Sequence, residues 1–205
     1  MRSTALSLRA IVALRNVNPV RFDCMESVLK IEPKRHGDHR GFFAETYSRA
    51  RYSDLGIRHE FVQDNHSLSV RVGTLRGLHF QAPPSAQAKL VRCGRGAIFD
   101  VAVDIRKGSP TYGHWVGYEL SEDNGHQLYV PIGFAHGFLT LRPNSEIVYK
   151  CSDYYAPETE GALIWNDSDI GIDWPITNEL TISDKDKAAN MLKDFESPFI
   201  FGVNS

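Results

Sequence analysis

Apolar and polar positions alternate in short runs along most of this chain. The segments VLKIEP (28–33), FFAETY (42–47), EFVQDNHSLSV (60–70), KLVRC (89–93), AIFDVAVDI (97–105), GHWVGYEL (113–120), QLYVP (127–131), GFLTL (137–141) and EIVYKCSDYY (146–155) are rich in Val, Ile, Phe and Tyr. Gly, Pro, Asn and Asp punctuate them, which predicts strands separated by turns. In AIFDVAVDI, Phe99, Val101, Val103 and Ile105 fall on one face and Asp100, Ala102 and Asp104 on the other. That period of two predicts a half-buried strand. Helical patterning is sparse. It is confined to residues 48–56, closed by Gly56, and 183–194, where Ser183 is placed to cap with Asp186 three residues on. Many short strands without alternating helices predict an all-β sandwich or barrel with a few short peripheral helices.

Composition adds limits. A chain of 205 residues with 42% hydrophobic and 23% charged residues suits one soluble globular domain. The formal net charge of −2 offers no global attraction to nucleic acid or a membrane surface. No run approaches the ~18 apolar residues of a membrane helix. Cys24, Cys93 and Cys151 are odd in number and lack C-x-x-C spacing, as in a reduced, cytoplasmic protein. Residues 1–18 are basic, with Arg9 and Arg15 interrupting the apolar stretch, and no cleavage pattern follows. They are expected to be a flexible extension, leaving residues 19–205 as a single domain. Neither G-x-G-x-x-G nor the P-loop pattern occurs, so dinucleotide chemistry is not expected.

Polar residues inside or beside the strands carry the chemical content: Gln63, Asn65, Arg76, His79, Lys89, His136, Tyr149 and Glu160. Burying such groups unpaired is costly, so they form either a satisfied cluster or a site. Arg76 and His79 are three apart and would face opposite ways on a regular strand. Gly77 between them permits a bulge that aims both inward. The segment Pro131–Phe138, PIGFAHGF, has the P-x-G-x-x-H form of a cupin's second motif. A metal-binding cupin would want a second histidine where Gln81 stands. Two separated histidines without a spaced carboxylate make a poor divalent site, so no metal is expected. His126 and the His36–His39 pair read as surface residues in turns.

A specific pattern runs through the chain: D-x-R-G-F-F-x-E (38–45), Q-D-N-H-S (63–67), L-R-G-L-H-F-Q (75–81), A-Q-x-K-L-V (86–91), F-D-V-A-V-D-I-R-K-G-S-P-T-Y-G (99–113), P-x-G-F-A-H-G-F (131–138) and Y-K-C-S-D-Y-Y (149–155). Over about residues 20–190 it resembles the dTDP-4-dehydrorhamnose 3,5-epimerase family, cofactor-independent sugar-nucleotide epimerases on a cupin jelly roll. The resemblance implies His79 as general base, Asp186 as its orienting carboxylate, Tyr149 as acid on the opposite sugar face and Lys89 as stabiliser of the enolate, with His136 nearby. It places Arg40, Glu45, Gln63, Asn65, Arg76, Glu160 and Lys185 at positions that bind the nucleotide diphosphate and sugar. Phe42 matches a residue that packs on the nucleotide from the partner subunit, which implies a homodimer with exchanged N-terminal strands.

The chemistry is coherent by itself. A 4-keto group acidifies both neighbouring carbons, so inversion needs a base, an acid on the other face and stabilisation of the enolate oxygen. Alternatives remain open: inversion at one carbon only or keto-isomerisation, a non-catalytic cupin binding module, and a metal-dependent cupin dioxygenase.

Overall fold

In a computed structural model, residues 11–13 (backbone only) and 28–202 are described. Two six-stranded sheets form the body. Sheet A contains β1 (Ile11–Ala13), β2 (Leu29–Glu32), β5 (Gln63–Ser69), β7 (Lys89–Arg95), β10 (Gln127–Val130) and β12 (Ser145–Cys151), in the order β1-β2-β10-β7-β12-β5. Sheet C contains β6 (Thr74–Gln81), β8 (Ala97–Asp104), β9 (Trp115–Ser121), β11 (Phe134–Thr140) and β13 (Glu160–Ala162), in the order β13-β6-β11-β8-β9, with β14 (Thr181–Ile182) beside β6. A separate hairpin pairs β3 (Arg35–Asp38) with β4 (Gly41–Ala44). The two short helices are α1 (Arg49–Asp54) and α2 (Asp184–Lys187). No helix among the described residues is long and apolar enough to cross a membrane. This is the all-β architecture expected from the strand pattern, with the jelly-roll form that the family resemblance implies.

Three apolar layers hold the sheets. Between them, Val91, Cys93, Leu128, Val130 and Ile147 from sheet A meet Ile98, Ala102, Leu120 and Phe138 from sheet C. The outer face of sheet C, with Leu75, Leu78, Val101 and Val103, is covered by Leu163, Ile170, Trp174 and Phe199 from the C-terminal third. Beyond sheet A, Ile31, Leu90 and Tyr129 pack against Tyr52 of α1 and Ile57. Both faces of sheet C are therefore covered, and this corrects the half-buried reading of AIFDVAVDI. Asp100 and Asp104 are buried, and both have partners: Asp100 bonds His136, while Asp104 accepts from Arg106, Ser109 and Thr111. Strand β8 runs in the middle of its sheet, so its polar face points at the other sheet rather than at water.

The second helical pattern is longer in sequence than in space. Ser183 caps α2, its Oγ accepting from Asp186 N at 3.1 Å. The helix ends at Lys187 because tertiary partners take up the following backbone. Asn190 O accepts from Ile164 N, and Leu192 N donates to the buried Asp167 carboxylate. A short 3₁₀ turn at Leu192–Asp194 is all that follows. Most of the expected N-terminal extension, residues 1–10 and 14–18, lies outside the described residues, as does Cys24. Ile11–Ala13 pair in parallel with β2.

Candidate active site

The bulge at Gly77 is present and sets the geometry of the site. His79 faces His136 across β6 and β11, while Arg76 faces Phe138, so two steps on β11 oppose three on β6. Parity switches within this stretch. Leu75, Leu78 and Phe80 all join the outer apolar layer, and Arg76 and His79 are not drawn into it. Glycine is required at this point. Its φ is +118°, and a Cβ there would lie 2.5 Å from Gly137 Cα and 2.7 Å from His136 O.

Asp186, delivered by the capped α2, closes on this strand. Its Oδ1 binds His79 Nε2 at 2.7 Å, and its Oδ2 accepts from Gly77 N at 3.3 Å. A carboxylate partner makes Nε2 the protonated nitrogen, which leaves Nδ1 with a free lone pair. Burial lowers the pKa of His79 below its ordinary 6.5, and Asp186 pulls against that shift without cancelling it. At neutral pH the ring is a free base.

Sheet A supplies the facing groups. Tyr149 on β12 packs against the inter-sheet core, and burial raises its phenol above the usual 10.0. Lys89, at the head of β7, makes no ion pair among the described residues, and burial lowers its pKa from 10.5. The fields of Glu160, Asp100 and Cys151 act on it in the opposite sense. Glu160 also acts on the titration of His79 and Tyr149, and Arg76 on that of Tyr149. The polar groups singled out from strand positions thus converge where the inter-sheet core gives way to charge.

At the rim, Glu160 Oε2 accepts from Lys185 Nζ at 2.6 Å and from the Tyr155 hydroxyl at 3.2 Å. Burial tends to raise the Glu160 pKa, but Lys185 outweighs it and the carboxyl lies below its usual range. Gln63 and Asn65 bond each other, and Arg76 Nε reaches Ser69 Oγ at 3.4 Å. Arg40, Phe42 and Glu45 are elsewhere. Arg40 pairs with Asp38, Glu45 pairs with Arg51, and Phe42 stands 60% exposed with the Arg35 guanidinium 4.3 Å from its ring centroid. None of these three has a hydrogen bond, ion pair or ring contact with the His79 cluster.

Two residues escaped sequence reasoning. Asp100 binds His136 Nε2 at 2.8 Å, and its other oxygen is buried without a hydrogen-bond partner among the described residues. The available signal was an aspartate interrupting an otherwise apolar strand. Tyr155 was quoted only as part of a motif, yet it links Gln63 to Glu160. Gln81 has a structural use: its amide donates to Ser85 O and Tyr154 O and accepts from Ala156 N. Among the described residues no three His, Cys, Asp or Glu side chains converge as a metal site.

Comparison with known proteins finds relatives that span most of the chain. Residues 24–194 match the family model described as dTDP-4-dehydrorhamnose 3,5-epimerase. The dTDP-4-dehydrorhamnose 3,5-epimerase of Salmonella typhimurium is 54% identical over 166 residues, covering 80% of this chain and 90% of that protein. The crystal structure of dTDP-6-deoxy-D-glucose-3,5-epimerase RmlC from Legionella pneumophila, in complex with dTDP-4-keto-L-rhamnose, is 45% identical with a TM-score of 0.82, over 89% of this chain and 97% of that one. ChmJ, a 3′-monoepimerase from Streptomyces bikiniensis in complex with dTDP-quinovose, is 37% identical with a TM-score of 0.76, over 81% and 84%. With the site built from the same strands that carry the sequence pattern, the chain belongs to the dTDP-4-dehydrorhamnose 3,5-epimerase family.

Proposed function

We propose that the protein is an isomerase that inverts dTDP-4-dehydro-6-deoxy-D-glucose at carbons 3 and 5, giving dTDP-4-dehydro-L-rhamnose for deoxysugar biosynthesis. The observation that carries this reading is the His79–Asp186 pair on sheet C, set against Tyr149 and Lys89 on sheet A. His79 Nδ1 takes the proton from a carbon next to the ketone, and the C–H electrons become the enolate. The ammonium of Lys89, free of any ion pair among the described residues, lies where it can offset charge on the enolate oxygen. Tyr149 delivers its proton to the opposite face, the carbonyl re-forms, and the phenolate recovers a proton from solvent. Asp186 holds the tautomer and stabilises the imidazolium. Arg76, Glu160, Lys185 and His136 border the same space and suit the nucleotide diphosphate and sugar.

Arg40, Phe42 and Glu45 fit a homodimer. They sit on or beside a hairpin outside both main sheets, with Phe42 and Phe43 exposed, as suits strands that reach a partner's site. Two free, buried cysteines suit a cytoplasmic setting. Light scattering should give a dimer, and an active monomer would contradict that assembly.

The deciding experiment is turnover of dTDP-4-keto-6-deoxyglucose in deuterated water. Two deuterons in the product, at carbons 3 and 5, support the double epimerase. The likeness to a 3′-monoepimerase keeps a one-centre reaction as the second reading, and a single deuteron at carbon 3 with one inverted centre would establish it.

A further inference from the structure

Gln63 and Asn65 are among the positions that the family resemblance gives to the ligand, yet their hydrogen bonds point to a second use. The backbone N–H of Tyr155 can only donate, and it donates to Gln63 Oε1 at 3.0 Å. That fixes the orientation of the Gln63 amide, whose Nε2 donates to Asn65 Oδ1 at 3.0 Å. With its oxygen taken, Asn65 turns its amide nitrogen the other way, and Nδ2 donates to Cys151 Sγ at 3.6 Å. An amide nitrogen carries two N–H groups. Tyr149 is the register partner of Asn65 on β12, so the two side chains stand next to each other on one face of sheet A. The polarity of the whole chain is thus rooted in one main-chain donor that cannot be reversed.

We propose, building on the epimerase reading, that Gln63 and Asn65 are positioning residues for the acid: an amide relay rooted at the Tyr155 backbone N–H holds a donor against the Tyr149 oxygen. When Tyr149 gives its proton to the enolate carbon, the O–H bond breaks and a C–H bond forms from the enolate electron pair. The negative charge passes to the phenol oxygen, and the phenolate then takes a proton from water. A donor already aimed at that oxygen is worth most at this moment, because hydrogen bonds to charged groups are stronger than neutral ones. Burial and the neighbouring Cys151 raise the phenol's pKa, while Asn65 and the Arg76 guanidinium pull it down. The relay works in the sense that transient charge on Tyr149 requires.

The test uses Gln63→Glu and Asn65→Ala. A carboxylate at position 63 still accepts from Tyr155 N but has no N–H for Asn65, which frees that amide to flip. In deuterated water, inversion should fall about tenfold relative to deuterium exchange in both variants, the scale of one hydrogen bond to a charged group. Affinity for dTDP should stay within about twofold of the parent, since ground-state binding is not what is removed. If dTDP affinity falls while the ratio of exchange to inversion holds, the residues are ligand contacts and the relay is overturned. An equal fall in exchange and inversion also overturns it. Should Asn65→Ala fail to fold, Gln63→Glu decides alone. Should the parent not epimerise this substrate, the functional reading fails separately, and the relay is judged by ultraviolet titration of the phenol, using the difference from Tyr149→Phe. Gln63→Glu should then raise the phenol's titration midpoint, and an unmoved midpoint overturns the proposal.

Discussion

His79 and His136 are register partners on adjacent antiparallel strands, and each is bound through Nε2 to a different buried aspartate, Asp186 for one and Asp100 for the other. Two imidazoles with matched partners therefore sit side by side, but they differ in access. The His79 side chain is 29% exposed and that of His136 is 9% exposed. A base must reach the carbon acid, and of the two imidazoles His79 is the more accessible.

Acid and base should separate kinetically. His79→Asn removes the base, so deuterium exchange and inversion should both fall by at least about 10²-fold. Tyr149→Phe leaves His79 and Lys89 in place, so abstraction and return on one face continue and exchange should outlast inversion. The ratio of incorporated deuterium to inverted product decides. Equal losses in Tyr149→Phe, with substantial exchange surviving in His79→Asn, would reverse the assignment.

The pH profile should be broad on the acid side and limited by lysine on the alkaline side. His79 has its pKa lowered below 6.5 by burial, so the free base persists as pH falls to that lower value, and kcat/KM should hold below pH 6.5. On the alkaline side burial lowers Lys89 from 10.5 and raises Tyr149 above 10.0, which draws the lysine's titration towards neutrality and moves the phenol's away from it. Lys89→Arg keeps a cation throughout this range and should move the alkaline limb upward, at a lower maximal rate. An unmoved limb would mean that Lys89 is not the group titrating there.

Turnover should need neither added metal nor NAD. Gln81 spends its amide on Ser85, Tyr154 and Ala156, so the strand that carries His79 offers no second ligand beside it. Rates after exhaustive chelation should equal the untreated rate. A loss restored by one particular ion would sink the cofactor-free reading.

Asp104 should be a stability centre. Burial opposes its ionisation, but hydrogen bonds from Arg106, Ser109 and Thr111 outweigh that and hold its pKa below 3.8. Because the folded value is depressed, the contribution is fully present above the unfolded value and is lost as pH falls through the folded one. Asp104→Asn should cost about 3 kcal/mol at neutral pH by stranding Arg106. In urea denaturation the gap from the parent should narrow below pH 3.8, because the parent then loses the same interaction. A gap that stays constant with pH would place the stabilisation in packing instead.

Period-two runs and turn residues were enough to determine the strands, because alternation and turn chemistry are local properties of the chain, while the jelly-roll class and the family came through the resemblance that the ordered short motifs carry. The Gly77 bulge was readable for the same reason: His79 and Arg76 share a strand, and three residues of spacing needs a parity change to aim both inward. Partnership across the sheets was not readable. Asp100 looked like the polar side of a half-exposed strand until sheet C was covered on both faces, and burial then made His136 its necessary partner. The second helix stopped at Lys187 because Asn190 O took the Ile164 backbone N–H and Leu192 N took the Asp167 carboxylate, outcompeting their own helical bonds. The direction of the Gln63 and Asn65 amides depends on a main-chain donor 92 residues away from Gln63. Sequence supplied the types of group in the cluster, and long-range hydrogen bonding decided how each one is oriented.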